Sequence, residues 1–306
     1  MPPLILLGPG YSCMALARLA SHDQPIFASA RRPEAAAALR AAGLIPFEWE
    51  VGQPLPNDLA LPPGAAVIYS VPTLHEDYEP APPGELARHV APVQAALDWA
   101  RAQHATCFIY LSSSSVLGDH QGATVDEDAP CHPISPYGHM RLDIERHLMD
   151  QPPGDTDLYV ARLVGIYGPG RTILDSIRAG HYRVVDPDKI TNRIHVEDIA
   201  QALLAMIHRS AGGPQGHRLY NVCDGNPVTV GALLAMLQEE FGVVPPPTET
   251  IEQTRQRAGV NSAARWEASY RASNQRLLSE LGLTLRYPNA LDGYRAILRA
   301  LPPFTS

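Results

Sequence analysis

Short apolar runs alternate with stretches of helical spacing along most of the 306-residue chain. LILLG (4–8) is an apolar run closed by glycine, and MALARLA behind it has apolar positions at helical intervals. That order predicts a strand, a tight turn and a helix. PIFAS (25–29) predicts a second strand, and PEAAAALRAAG a second helix closed at Gly43. IPFEW (45–49), AAVIYSV (65–71) and CFIYLSS (107–113) predict further buried strands, with the helical stretch ELARHVAPVQAALDWARAQ (85–103) before the last of them. DLYVARLVGIYG (157–168) and RLYNVCD (218–224) predict two more, the second after the helix DIAQALLAMIH (198–208). Alternation of this kind predicts an α/β fold, a Rossmann-type doubly wound parallel sheet with helices on both faces.

The final stretch of about 80 residues changes character, a length that fits a small appended lobe. TVGALLAMLQEEFG is helical, VVPPPTET must be a loop, a further helical stretch covers roughly 273–282, and RYPNALDGYRAIL follows. The expected division is therefore 1–224 for the sheet domain and 225–306 for a small C-terminal lobe.

The first strand–helix turn reads GPGYSC (8–13). In a dinucleotide-binding turn the first glycine makes the bend, the second admits the pyrophosphate, and the third allows close helix–strand packing. Gly8 and Gly10 hold the first two places and Cys13 the third, with Tyr11 and Ser12 opening the helix whose amides would face a phosphate. An Asp or Glu at the end of the second strand would select NAD. Here the chain reads ASARRPE, with Arg31 and Arg32 and no acid, and guanidinium forks suit the 2′-phosphate of NADP. NADP is expected in preference to NAD, with Ser70 at the end of AAVIYSV as a further cofactor contact.

Composition narrows the partners. A net charge of −8 argues against nucleic acid and anionic membranes. The start, MPPLILLGPG, has no positive flank, and its apolar run is too short for a signal peptide or a membrane span, so a cytoplasmic location is expected. The four cysteines show neither a paired nor a zinc spacing and read as free thiols, and no metal site is expected. Of the 24 basic side chains 23 are arginine, and Lys189 is the one lysine.

YLSSSSVLGD (110–119) ends a strand expected near the middle of the sheet, where ligands gather at strand C-termini. Tyr137 follows 24 residues after Ser113, in SPYGHMRLDIE (135–145), just behind a Ser-Pro helix start. Here the chain resembles the extended, atypical short-chain dehydrogenase/reductase superfamily, in its NAD(P)-dependent epimerase/dehydratase branch. Further similar blocks are ARLVGIYGPGR (161–171), RIHVEDIA (193–200) and LYNVCDGNPVTV (219–230).

The resemblance implies a catalytic set. Ser113 would hold the substrate oxygen, with Ser114 beside it, and Tyr137 would be the general acid/base. A tyrosine near its usual pKa of ~10 is a poor base at neutral pH, and a fixed positive charge one helical turn away favours the phenolate. The family uses lysine there, which also bonds the nicotinamide ribose, whereas this chain has Arg141. Arginine keeps the charge but cannot pass on a proton, and its planar fork needs more room. The resemblance puts Lys189 and Arg193 toward the substrate and lets 166–192 contribute to the substrate lobe. Two positions depart from the family: Leu117 replaces a tyrosine and Gly165 an asparagine. His195 reads as structural, and His120 and His132 flank the expected mouth.

The expected activity is an NAD(P)-dependent oxidoreductase or epimerase. It would transfer hydride at a carbinol or carbonyl carbon of a small molecule, such as a sugar or nucleotide-sugar, as a monomer or homodimer. The alternative is a non-catalytic NADP-binding protein with a degenerate site, for which Arg141 is the argument.

Overall fold

The computed structural model describes residues 2–20, 24–57, 59, 62–72, 78–82 and 84–300. The first part of the chain forms β1 (Leu4–Leu7), α1 (Tyr11–Leu19), β2 (Ile26–Ala30), α2 (Pro33–Ala41), β3 (Ile45–Glu48), β4 (Ala66–Tyr69), α3 (Ala91–Ala102), β5 (Cys107–Ser113), β6 (Thr124–Val125) and α4 (Pro136–Met149). There follow β7 (Asp157–Leu163), β8 (Gly165–Tyr167), α5 (Ile173–Arg178), β9 (Ile190–Thr191), β10 (Arg193–His195), α6 (Val196–Ser210) and β11 (Arg218–Val222). The chain ends in β12 (Val228–Thr229), α7 (Val230–Phe241), α8 (Ile251–Ala258), α9 (Val260–Glu267), β13 (Arg271–Ala272), α10 (Gln275–Leu281) and α11 (Ala290–Arg299).

Two compact units share these elements. The first comprises Met1–Ser112, Met140–Arg162 and Ile199–Tyr220, and the second Ser113–His139, Leu163–Asp198 and Asn221–Ser306.

The first unit is built on a seven-stranded sheet in the order β11-β7-β5-β4-β1-β2-β3. Pairing is parallel from β3 through β2, β1 and β4 to β5, with Leu4 opposite both Ile26 and Ala66. The order reverses between β1 and β4, the crevice where doubly wound sheets take their ligands. Leu4 to Leu7 are wholly buried, as expected of a strand covered on both faces. Val67, Val93, Leu97, Phe108, Ile144 and Val160 belong to the core around them.

Two strands differ from the sequence expectation. IPFEW is an edge strand rather than a buried one, with Ile45 46% exposed. Pro46 explains this, because it has no N–H for a second neighbour. DLYVARLVGIYG is two strands in two sheets, since β8 leaves the large sheet to pair with β10.

The second unit carries three small sheets, β8 with β10, β9 with β12 and β6 with β13. Its own apolar core gathers Tyr167, Leu174, Leu233, Leu237, Tyr294 and Ile297. Thr250 caps α8 through a capping box with Gln253, the local signal for this helix. No helix among the described residues is long and apolar enough to cross a membrane.

Candidate functional site

In the first unit, Gly8 ends β1 at φ +74°. A Cβ there would lie 2.9 Å from both the backbone nitrogen and Cγ2 of Val71, so the bend needs glycine for conformation and for space. The Gly8 N–H donates to Ser29 Oγ at 2.9 Å, which ties the turn to β2. Gly10 is the N-cap of α1 and offers that helix no side-chain cap. The nearest atom to a Cβ on Gly10 is the Gly8 carbonyl oxygen, 3.9 Å away. The turn thus presents side-chain-free backbone at a helix N-terminus, which fits a pyrophosphate.

Cys13 is fully buried beneath this turn. Burial pushes its thiol up to about 11 against hydrogen bonds to the Ser70 side chain and the Gly10 backbone. Gly8, Gly10, Cys13 and Ser70 are therefore assembled in one place, with Tyr11 and Ser12 in the first turn of α1. Arg31 and Arg32 follow β2 directly and are exposed. Arg31 Nη1 is 3.9 Å from Glu50 Oε1 on the surface, a weak pairing that leaves the guanidinium available.

Also in the first unit, α4 is tied to β5 on two successive turns. Arg141 is 7% exposed and donates from Nη1 to the Leu111 carbonyl at 2.7 Å. Its guanidinium lies 6.0 Å from the Tyr110 ring centroid. One turn on, Glu145 accepts from Ser112 Oγ at 2.5 Å and from Arg162 Nε at 2.9 Å, all three side chains being buried. Such a pair costs desolvation but fixes a register, because each charge is lost without the other.

In the second unit, Ser113 Oγ accepts from the Ser115 N–H at 3.2 Å, capping the tight turn that follows β5. Ser114 is buried, and its carbonyl accepts from Tyr270 Oη at 3.4 Å. Tyr137, half-buried in the first turn of α4, donates its N–H to Asn261 Oδ1 at 3.3 Å. Gly138 explains how the helix start comes so close to the serine run. A Cβ there would lie 2.6 Å from the Ser115 carbonyl oxygen and 2.8 Å from Pro133 Cβ. The serine run and the first turn of α4 are thus packed backbone to backbone.

The second unit also holds Lys189 and Arg193. Lys189 is buried, with Asp119 and Asp186 as the charges that face it. Arg193 shares its surroundings with Arg265, whose guanidinium is pushed below the ordinary range first by desolvation and then by the Arg193 charge. Tyr182 is close enough to feel both arginines. Gly165 makes room for this group, since a Cβ there would meet the Asn192 carbonyl oxygen at 2.9 Å and Arg193 Nη1 at 3.2 Å. A side chain at that position would require the Asn192 carbonyl and the Arg193 side chain to shift. Leu117 is wholly buried.

His195 is a packing residue. Its Nδ1 accepts from the Glu197 N–H at 3.2 Å, and its ring stands edge-on to Tyr167 at 5.1 Å. Burial pushes its pKa down to about 4, so it is neutral near pH 7. Asp224 is 4% exposed, and burial raises it to about 7 despite the Asn226 N–H and the nearby Arg193. The His120 and His132 rings lie 6.3 Å apart. Asn261, Arg265 and Tyr270 carry no motif at all, Asp224 is not singled out within its block, and the Asn261 contact spans 124 residues of sequence.

Residues 66–223, just over half of the chain, match the NAD dependent epimerase/dehydratase family. The chain belongs to that family. As an epimerase/dehydratase chain it is similar to Protein YeeZ of Escherichia coli K12, 28% identical over 203 residues, a match covering 65% of each. It thus spans 65% of that curated relative's length. A solved structure of a functionally unknown conserved protein from Silicibacter pomeroyi is 31% identical with a TM-score of 0.77, over 98% of this chain and 99% of that one. MoeE5, solved in complex with UDP-glucose and NAD, shares the fold at 21% identity and a TM-score of 0.71, over 98% of each chain.

Proposed function

We propose that this family member is an NADP-dependent oxidoreductase or epimerase acting on an oxygen-bearing carbon of an anionic substrate of the nucleotide-sugar class. The observation that carries this reading is the Arg193–Arg265 pair. Arg193 has a buried Nε without a hydrogen-bond partner, the Arg193 and Arg265 charges act on each other, and neither forms an ion pair among the described residues, an arrangement that suits an anion. They stand in the unit that also carries Ser113 and Tyr137. MoeE5, which shares the fold, holds a nucleotide-sugar.

Gly8, Gly10, Tyr11, Ser12, Cys13 and Ser70 would hold the dinucleotide, with its pyrophosphate against the first turn of α1. Arg31 and Arg32 support NADP, because no acid stands at the end of β2 to take a ribose hydroxyl. When bound, the nicotinamide supplies the hydride acceptor or donor. Tyr137 takes the proton from the substrate hydroxyl or returns it to the carbonyl oxygen, and Ser113 orients that oxygen by a hydrogen bond. Ser114, Lys189 and Arg193 complete the substrate contacts.

Arg141 favours a second reading, a non-catalytic NADP-binding protein. Its Nη1 is committed to the Leu111 carbonyl, so part of the fork is already used in joining α4 to β5. Tyr137→Phe separates the two readings. The enzyme reading expects loss of at least ~100-fold in turnover with NADPH affinity unchanged within threefold. Parental turnover by the variant would remove Tyr137 from the mechanism. A protein that binds neither NADP(H) nor NAD(H) would remove both readings.

A further inference from the structure

The N–H groups in the first turn of α4 have no acceptor within the helix and need one from outside. Ser135 serves locally, its Oγ accepting from the Gly138 N–H at 3.1 Å. The Tyr137 N–H goes instead to Asn261 Oδ1 at 3.3 Å, on a residue 124 positions later in the first turn of α9. Between α9 and β13, Tyr270 Oη donates to the Ser114 carbonyl at 3.4 Å. One continuous stretch therefore touches both the helix start that carries Tyr137 and the serine run that carries Ser113.

That stretch is anchored on both sides of Tyr270. The Ser269 N–H donates to Asp119 Oδ1 at 2.8 Å, and its carbonyl accepts from the His120 and Gly122 N–H groups, both at 2.9 Å. On the other side Asn192 uses both ends of its amide, Nδ2 donating to the Tyr270 carbonyl at 3.0 Å and Oδ1 accepting from the Ala272 N–H at 2.8 Å. Asn192 directly precedes Arg193, so the strand that presents Arg193 belongs to the same frame. The two contacts are not needed to start the helix or to make the turn. Ser135 caps α4 already, and Ser113 Oγ caps its own turn by accepting from the Ser115 N–H at 3.2 Å. Asn261 and Tyr270 instead tie both elements to one anchored piece of backbone, which constrains the spacing between them.

We propose that Asn261 and Tyr270 are positioning residues, through which the α9–β13 stretch holds the Tyr137 phenol and the Ser113 hydroxyl at a fixed spacing around the substrate oxygen. This rests on the reading above that Tyr137 and Ser113 act on that oxygen. Both residues work through backbone, Asn261 through the N–H of Tyr137 and Tyr270 through the carbonyl of Ser114. Misplacing a reacting group by roughly 1 Å can cost about 100-fold in rate. The two contacts therefore bear on turnover far more than on substrate affinity.

Asn261→Leu and Tyr270→Phe each remove one hydrogen bond and little volume. Both are expected to lose at least tenfold in kcat with the substrate that screening identifies. KM and NADPH affinity should stay within threefold, and the melting temperature should fall by no more than a few degrees. Asn261→Asp keeps the acceptor oxygen and is expected to recover kcat to within threefold, measured at its own pH optimum because the new carboxylate opposes the phenolate. Parental kcat in both Asn261→Leu and Tyr270→Phe overturns the proposal, and parental kcat in one removes that residue from it. A loss that Asn261→Asp shares, or one that vanishes once activity is scaled to the folded fraction, marks a structural contact and also overturns it.

Fluorine NMR of fluorotyrosine-labelled protein gives a reading that needs no substrate. The Tyr137 signal is the one missing from Tyr137→Phe. In Asn261→Leu it is expected to broaden or split, as a ring released into several positions does, and in Asn261→Asp to remain a single line. A sharp single line in Asn261→Leu, shifted or not, overturns the proposal. Parental turnover by Tyr137→Phe would instead remove the reading of Tyr137 as acid/base, and leave the line shape to decide whether Asn261 positions its ring.

Discussion

Substituting Gly8 and Gly10 separately distinguishes a ligand site from an ordinary turn. Gly10 has φ −91° and ψ −166°, a region alanine occupies freely. Its Cβ would meet nothing closer than 3.9 Å. Alanine is a poorer N-cap than glycine, but it also restricts the unfolded chain, so the net change in stability is about 0.5 kcal/mol or less. Gly8→Ala has no such freedom. At φ +74° the left-handed backbone costs about 1–2 kcal/mol. The 2.9 Å approach to the Val71 nitrogen adds overpacking of about 1–3 kcal/mol. Urea denaturation is thus expected to show Gly10→Ala near the parent and Gly8→Ala about 2–5 kcal/mol less stable. NADPH titration followed by fluorescence is expected to show at least tenfold weaker binding for both. Only in Gly10→Ala does the loss arise entirely from the methyl group meeting the pyrophosphate. Parental NADPH and NADH affinity in Gly10→Ala would refute the assignment of this turn.

Three further outcomes are expected. Replacing Arg31 and Arg32 together by alanine should weaken NADP+ at least tenfold, the scale of one lost charged hydrogen bond, and leave NAD+ within threefold; equal losses in a calorimetric titration would end the NADP assignment. Gly138→Ala must push the first turn of α4 off Ser115 by roughly 0.8 Å to reach ordinary contact, so about 1–3 kcal/mol of stability and up to ~100-fold of turnover should be lost while NADPH affinity holds. Asp224, raised from 3.8 to about 7, binds a proton in the folded chain that the unfolded chain has released, so its contribution to stability falls as pH rises across that window, by on the order of 4 kcal/mol in full. His195, lowered from 6.5 to about 4, works in the opposite direction over most of the same window. Asp224→Asn should therefore raise the melting temperature at pH 8 relative to the parent and leave a profile that improves from pH 4 to 6.5; a parental profile would show that Asp224 does not titrate there.

The parts of the site that rest on local chemistry were legible in the sequence. GPG between an apolar run and a helix marks a strand-to-helix turn and SPYG a helix start, and α1 and α4 begin where those signals stand. The parallel, doubly wound sheet followed from alternation, but the exposure of β3 required giving weight to Pro46. The break between β7 and β8 has no local signal, because the run is apolar throughout and the division arises from pairing with β10. Arg265 and Asn261 are likewise ordinary helix residues until the fold sets them beside Arg193 and Tyr137. The exchange of asparagine for Gly165 made sense only once Arg193 was seen to need the space.

The two units interleave, each using three separate stretches of the chain. Neither can therefore be obtained by cutting the chain once, and the first lacks its last strand until Arg218–Val222 has been made. A growing chain must hold five parallel-pairing apolar strands, β1 to β5, before that edge exists. Non-local parallel pairing is slow to form and exposes strand edges meanwhile. This protein is thus expected to fold late in synthesis and slowly, with truncations short of β11 recovered as aggregates rather than as a working nucleotide-binding half.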